Sequence, residues 1–426
     1  MTTPNSQARQ RRVVITGAGM VSPVGNDVPT AWAALLAGTS GTDTVTHFEA
    51  TEDFPCRVAA EVKDFDPSGV IEPKEARRYD RFSLFGIVAS AEALRSAGFE
   101  NAPEGIPSPE RFGVIFGSGI GGISTFEAEH KKMLERGPKR VSPFFIPMFI
   151  PDICAGLISI HFGMKGPNYA TVSACASSAH AIGDAFRTIQ RGDADLMVAG
   201  GAEATITPMT FAGFSAMKAM STRNDEPKAC SRPFDSGRDG FVMGEGAGAL
   251  ILESLESAQA RGATILAEIA GYGASGDAYH ITSPPDEHLG AQQAMRACLE
   301  DAGLQPTDVD YINAHGTSTP VNDLHETIGI KAVLGDHARN IIVGSTKSMT
   351  GHLLGASGAV EAIVCTQVLR EGKIPPTING TDPDPECDLN YAHGGMVERE
   401  VKVALSNSFG FGGHNVCIAI KKWEGA

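Results

Sequence analysis

Four short segments of this 426-residue chain carry residues that could do chemistry. Cys175 closes the run Tyr169-Ala-Thr-Val-Ser-Ala and immediately precedes a stretch with Ala179, Ile182, Phe186 and Ile189 at helical spacing. A thiol at a helix N-terminus has its thiolate favoured by the positive end of the dipole and by unpaired N–H groups. Cys175 is therefore the candidate nucleophile. Two histidines occupy Gly-flanked loops at strand-to-helix junctions: Asn313-Ala-His315-Gly-Thr-Ser-Thr319, and Lys347-Ser-Met-Thr-Gly-His352. Neither has metal-ligand spacing such as HExxH. The fourth segment, Asn407-Ser-Phe-Gly-Phe411-Gly-Gly-His414-Asn415, interleaves two Phe with three Gly. It reads as a flexible apolar loop, a gate whose N–H groups can face a developing oxyanion.

One further motif argues against itself. Gly117-Ser-Gly119-Ile-Gly-Gly122 follows a strand and matches GxGxxG. A dinucleotide site also needs an acid about 20 residues on, and Lys139-Arg140 stand there.

These segments need an α/β scaffold to meet. Strands are expected at Val13–Thr16, Phe112–Phe116, Leu196–Ala199, Ala249–Leu252 and Ile341–Gly344, with helices between them at Arg81–Ala97 and Gly290–Ala302. Such alternation is the α/β pattern. The helices after Cys175 and over Gly355–Leu369 are rich in small residues all round, as in helices buried on several sides. Each follows a β-like run and a loop, which suggests two related halves, each giving a helix to a central layer. The expected division is a disordered tail at 1–11, an N-terminal half at 12–262 holding Cys175, and a C-terminal half at 263–426 holding both His.

A formal charge of −15 excludes nonspecific nucleic-acid binding. The eight scattered Cys form no CxxC pair, as expected of reduced cytoplasmic thiols. No apolar run is long enough to insert in a membrane.

Taken together, Ser173-Ala-Cys175, the His315 and His352 motifs, Arg232-Pro-Phe-Asp, Arg238-Asp-Gly-Phe-Val-Met-Gly-Glu-Gly and Asn407-Ser-Phe-Gly-Phe-Gly-Gly resemble the β-ketoacyl-acyl carrier protein synthases, most closely the elongating type II enzymes. The likeness runs from about Arg12 to Lys422. It implies the thiolase fold, two similar halves in five α-β-α-β-α layers, in a homodimer.

The resemblance also implies a mechanism and its residues. Cys175 takes an acyl group from an acyl carrier protein, with Cys175 and Phe411 N–H groups as oxyanion donors. Malonyl-carrier protein then loses carbon dioxide, and neutral His315 and His352 hold the enolate. Lys347 supports the His pair, Thr317 and Thr319 bind the phosphopantetheine arm, and Glu361 is a buried structural carboxylate. No cofactor is required, although Asn313, Glu361, Asn407 and Ser408 match a monovalent cation site. Ile120, Phe145, Phe214 and Phe411 match the acyl pocket. Because carrier protein is acidic, Lys74, Arg77, Arg78 and Arg81, in two helically spaced pairs, form the expected docking patch.

The chain departs from many relatives at His414, which is left without a role, and at Ala176-Ser-Ser, which leaves acyl length open. A thiolase would need a second Cys in 407–415, where there is none; a starter-type enzyme would replace one His with Asn. A polyketide ketosynthase shares every catalytic residue and stays open.

Overall fold

The structure is a computed structural model describing residues 11–100 and 102–425. The expected tail lies outside the described residues except for Arg11, which pairs with Asp195 at 2.8 Å and donates to Ser254 Oγ.

Ten strands form one continuous sheet. In chain order the first five are β1 (Val13–Val21), β2 (Phe112–Gly117), β3 (Asn168–Tyr169), β4 (Leu196–Glu203) and β5 (Gly246–Ser254). The second five are β6 (Ala267–Gly276), β7 (Tyr311–Asn313), β8 (Ile342–Gly344), β9 (Val403–Gly410) and β10 (His414–Lys421). From the outer edge inward the order is β3-β2-β4-β5-β1 in one half and β8-β7-β9-β10-β6 in the other, the same order with each number raised by five. The directions repeat too. β2 is parallel to β3 and β4, and β7 to β8 and β9; the remaining pairs in each half are antiparallel. The halves join where Val13–Ile15 pair with Ala267–Ile269. The topology supplies the internal repeat that the sequence only suggests.

Helices sort into three layers. α1 (Arg81–Ser96), α2 (Ile123–Arg136) and α3 (Ile153–Phe162) belong to the first half, and α1 and α3 cover the outer face of its strands. α4 (Ser177–Gln190) follows Cys175. α5 (Leu289–Ala302) and α6 (Pro320–Leu334) lie outside the second half, and α7 (Ser357–Glu371) follows His352. α4 and α7 touch each other and strands of both halves, which makes them the middle layer of five. Every residue of α7 from Ser357 to Leu369 is buried. A helix apolar or small on all sides has this one stable location.

The central helices can approach because the sheet beneath them lacks side chains. Gly117, Gly201 and Gly248 are register partners across β2, β4 and β5. A Cβ at Gly117 would lie 2.6 Å from the Ser177 carbonyl carbon, one at Gly201 2.6 Å from Ser178 Cβ, and one at Gly248 2.8 Å from Ala359 C and Val360 N. Each is well inside van der Waals contact.

Several elements differ from expectation. The 407–415 segment is a β-hairpin, with β9 and β10 closing on a turn at 411–413. Alternating polar and small residues hide the strand period there, because the strands are covered on both faces. Residues 347–350 form a short helix, and Gly355 lies in a 3₁₀ turn ahead of α7. Lys74 and Arg77–Arg81 share no helix: one short helix ends at Ala76, and α1 begins at Arg81, capped by Asp80.

Gly248→Val should force α7 away from the sheet and destabilise the fold by about 3 kcal/mol, read by denaturant unfolding. A loss within about 0.5 kcal/mol would mean that the close approach is dispensable.

Candidate active site

Cys175 is the middle residue of a 3₁₀ turn, Ala174–Ala176, that runs into α4. Ala174 takes a left-handed φ of 50°, which lifts the thiol toward the cavity. From the other half, His315 leaves β7 and His352 precedes α7. The Cys175 sulfur and a ring nitrogen of each His lie within 4.8 Å of one another. The sequence expectation brought these three groups together, although they are separated by up to 177 positions in the chain.

The His352 ring is tethered directly and His315 through its backbone. His352 Nδ1 shares a 2.9 Å hydrogen bond with Ser357 Oγ, and its backbone N–H donates to Val242 O at 2.7 Å. The His315 and Gly316 N–H groups donate to the two Glu326 oxygens, each at 2.8 Å. The His rings meet edge to face, with centroids 5.3 Å apart. Burial, reinforced by Lys347, holds both imidazoles well below their usual pKa, so both are neutral.

Burial also reverses the expectation for Cys175. It pushes the thiol up to about 12, with Glu203 adding to the rise. Lys347 and the N–H groups of Phe411 and Cys175 itself pull the other way but do not win. Desolvation of a thiolate set at the floor of a mostly apolar cavity outweighs a helix terminus. The resting group is therefore a thiol with two oxyanion-type donors aimed at it.

Lys347 is buried and ion-paired with Glu361. Burial pushes Glu361 up to about 7 against the pull of Lys347. Asn313 Oδ1, Asn407 Oδ1, Ser408 Oγ and the second oxygen of Glu361 are all buried without a hydrogen-bond partner. Unsatisfied hard oxygens at each of these residues fit the donor set of a small cation.

A cavity of about 830 Å³ opens over the thiol. Ile120, Phe214, Phe411, Thr317, Thr319, His315 and His352 line it together with Cys175. Thr317 and Thr319 hydroxyls bond each other at 2.9 Å, and Thr319 also caps α6. Rings link the turn at 411–413 to the catalytic pair: Phe411 to Phe214 at 6.4 Å, Phe214 to Phe241 at 5.4 Å, and Phe241 to His352 at 5.5 Å. Gly410 packs on the nucleophile turn, where a Cβ would lie 2.8 Å from Ser173 O and 3.1 Å from the Cys175 nitrogen.

Two expected residues lie elsewhere. Phe145 is not in this cavity; it sits on a short helix, Phe145–Phe149, stacked on Phe149 and near Phe126 of α2. Arg81 is not a free docking cation. It grips the buried Glu245 through two bonds of 2.7 and 3.0 Å and lies over Phe85. Lys74, Arg77 and Arg78 are exposed, with Arg78 over the Phe144 ring. His414 is exposed at the start of β10, its ring facing His180 at 6.4 Å.

Sequence reasoning passed over Glu326, Ser357 and Glu203. The first two are faintly legible, as a carboxylate on the inward face of α6 and a hydroxyl five residues after His352. Glu203 explains the GxGxxG segment: its carboxylate accepts from Gly119 N–H, Ile120 N–H and Ser118 Oγ, so the loop cradles a side chain where a dinucleotide loop cradles phosphate.

Arg81→Met should leave the buried Glu245 with only His47 and the Val62 N–H as partners and cost about 2 kcal/mol, read by denaturant unfolding. Unchanged stability would return Arg81 to the surface patch.

Residues 10–258 match the family model "Beta-ketoacyl synthase, N-terminal domain", and residues 266–381 the model "Beta-ketoacyl synthase, C-terminal domain". The chain is 53% identical over 417 residues to 3-oxoacyl-[acyl-carrier-protein] synthase 2 of Staphylococcus aureus (strain COL), covering 98% of this chain and 100% of that one. A β-ketoacyl synthase from Burkholderia phymatum STM815 superposes with a TM-score of 0.89 at 37% identity, covering 97% and 100%. A ketosynthase in complex with its type II polyketide acyl-carrier protein, bound to a hexaketide, gives 0.90 at 32% identity, covering 97% and 100%.

Proposed function

The chain belongs to the β-ketoacyl synthase family, and on that footing we propose that it is an elongating 3-oxoacyl-[acyl-carrier-protein] synthase of fatty-acid biosynthesis. The observation that carries the reading is a buried thiol with two neutral imidazoles, all within 4.8 Å, under an apolar cavity. The 53% identity to a 3-oxoacyl-[acyl-carrier-protein] synthase 2 against 32% to the polyketide ketosynthase favours fatty-acid elongation over the polyketide alternative.

Cys175 attacks the thioester carbonyl of an acyl-carrier protein. A sulfur–carbon bond forms, the phosphopantetheine sulfur leaves, and the thiol proton departs with it. Negative charge on the carbonyl oxygen is met by the Phe411 and Cys175 N–H groups. Malonyl-carrier protein then enters with its arm along Thr317 and Thr319. Its carboxylate leaves as carbon dioxide, and the electron pair becomes an enolate. With the Ser357 hydroxyl donating to His352 Nδ1, Nε2 keeps its proton and donates to the enolate oxygen beside His315. The enolate carbon attacks the acyl thioester, and Cys175 leaves as a thiolate that takes up one proton from water to return to the resting thiol. Because carbon–carbon cleavage supplies the carbanion, the site needs donors and no strong base. Lys347 works through the rings by keeping them neutral.

Asn313, Glu361, Asn407 and Ser408 would hold a monovalent cation, which when bound would counter the buried acids and brace the hairpin behind Phe411. No organic cofactor is needed. The partner is an acidic carrier protein docking at Lys74, Arg77 and Arg78. A homodimer is supported by an apolar face around the edge strand β3: Ile160, Tyr169, Val172, Phe144 and Ile146 are exposed there on elements in mutual contact. Among the described residues no helix is long and apolar enough to cross a membrane, and eight free thiols suit the cytoplasm.

Cys175→Ala should form no acyl-enzyme by intact mass, and His315→Ala should lower malonyl decarboxylation by at least about 100-fold while still acylating. Full condensation by either variant would refute its assigned role. Since both rings stay neutral through the usual imidazole range, decarboxylation by Cys175→Ala should hold its rate as the pH falls through about 6.5. A decline centred there would mean a ring titrates normally. Reversing charge at Arg77 and Arg78 should raise KM for carrier-protein substrates while sparing small thioesters; equal loss with both would remove the docking patch.

A further inference from the structure

Glu203 ends β4 wholly buried, and none of the ion pairs among the described residues includes it. It is held by hydrogen bonds alone: Ser118 Oγ at 3.0 Å, Gly119 N–H at 2.8 Å, Ile120 N–H at 3.1 Å and Gly355 N–H at 2.9 Å. The first three come from one half of the protein and the fourth from the other. Space is as tight as the bonding. A Cβ at Gly119 would lie 2.8 Å from a Glu203 oxygen, and one at Gly355 would lie 2.7 Å from it.

The repeat gives Gly355 a particular meaning. It is the middle residue of the 3₁₀ turn Leu354–Ala356, which precedes α7 as the turn Ala174–Ala176 precedes α4. The first residue of each turn is left-handed, Ala174 at φ 50° and Leu354 at φ 46°, and each helix then starts with Ser. Gly355 is thus the counterpart of Cys175. In the first half the middle N–H of the turn faces the reacting sulfur. In the second half the equivalent N–H is occupied by a carboxylate.

We propose that Glu203 is a positioning residue for the condensation, an internal anion that fills the non-reacting copy of the nucleophile's oxyanion hole and thereby fixes the register between the two halves of the active site. Its four bonds tie the acyl-pocket residue Ile120 to the turn that runs between His352 and its partner Ser357. Gly119, in the same grip, lies against the nucleophile turn, since its Cβ would be 3.3 Å from Ala174 O. Glu203 acts on the thiol as well: burial does most to raise the Cys175 pKa, Lys347 lowers it and Glu203 adds to the rise. The four hydrogen bonds on Glu203 oppose the upward push that burial gives its own carboxyl. The charged or titratable groups facing the sulfur are therefore His315, His352, Lys347 and Glu203.

The inference rests on Cys175 as the nucleophile, so wild-type condensation is measured alongside; failure there would indict that reading and not this one. Two variants test Glu203. In Glu203→Gln the charge is gone, and the pH profile of Cys175 alkylation by iodoacetamide should move to lower pH while condensation falls at least tenfold. In Glu203→Ala the hole is open, and formate should restore condensation saturably where formamide does not. An alkylation profile that coincides with wild type, or indifference to formate in a folded Glu203→Ala enzyme, would overturn the proposal. Should neither variant fold, Ser118→Ala removes a single bond from the carboxylate. It should slow condensation several-fold, and a wild-type rate there would overturn the proposal equally.

Discussion

Two helices packed between layers of sheet set the terms for the rest of the molecule: α7 is buried from Ser357 to Leu369, and α4 is buried except along a stripe that includes His180, Asp184 and Arg187. A helix can sit that close to a sheet only where the sheet offers backbone and no side chains, and the row Gly117, Gly201, Gly248 provides this. Ser177 and Ser178 rest on two of those glycines, so Cys175 is placed by the same contact. α7 rests on the third, and with it the turn that follows His352. The catalytic groups come from opposite halves of the chain, yet one packing constraint positions both.

Burial then determines the chemistry. Deep enclosure makes ionisation of any group costly unless a partner compensates. It keeps His315 and His352 neutral and holds Cys175 as a thiol. In the proposed mechanism the neutral rings donate to the enolate, and the protonated thiol reacts once a thioester sits under the Phe411 and Cys175 N–H groups. Lys347 biases all three groups at once. The buried acids are managed in different ways: Glu361 by a cation, Glu326 and Glu203 by amide donors.

Much of the site was legible because its chemistry is local in sequence. Cys175 before a helix and two His in Gly-flanked loops are each visible within ten residues. The small-residue helices likewise disclosed the middle layer. What stayed hidden depends on distant partners. Arg81 looks like a surface cation until Glu245, 164 positions away, takes its guanidinium. Residues 407–415, the facing ends of β9 and β10, read as a loop because both faces are covered and the alternation is lost. The thiol's ionisation was misjudged for a similar reason: a helix terminus can be read from sequence, whereas the desolvation that opposes it belongs to the assembled layers. Glu203 showed no local signal beyond the glycines that cradle it.

The central claim is that the nucleophile of one half is discharged by a carbanion born from decarboxylation and stabilised by neutral donors of the other half. The most direct measurement loads Cys175 from an acyl-carrier protein, isolates the acyl-enzyme, and follows its intact mass after adding either malonyl- or acetyl-carrier protein. The account expects malonyl-carrier protein to discharge the thioester with release of carbon dioxide and a 3-oxoacyl product, and acetyl-carrier protein to leave it intact. Formation of the 3-oxoacyl product from acetyl-carrier protein would require a base strong enough to remove a C–H proton, and would contradict the account.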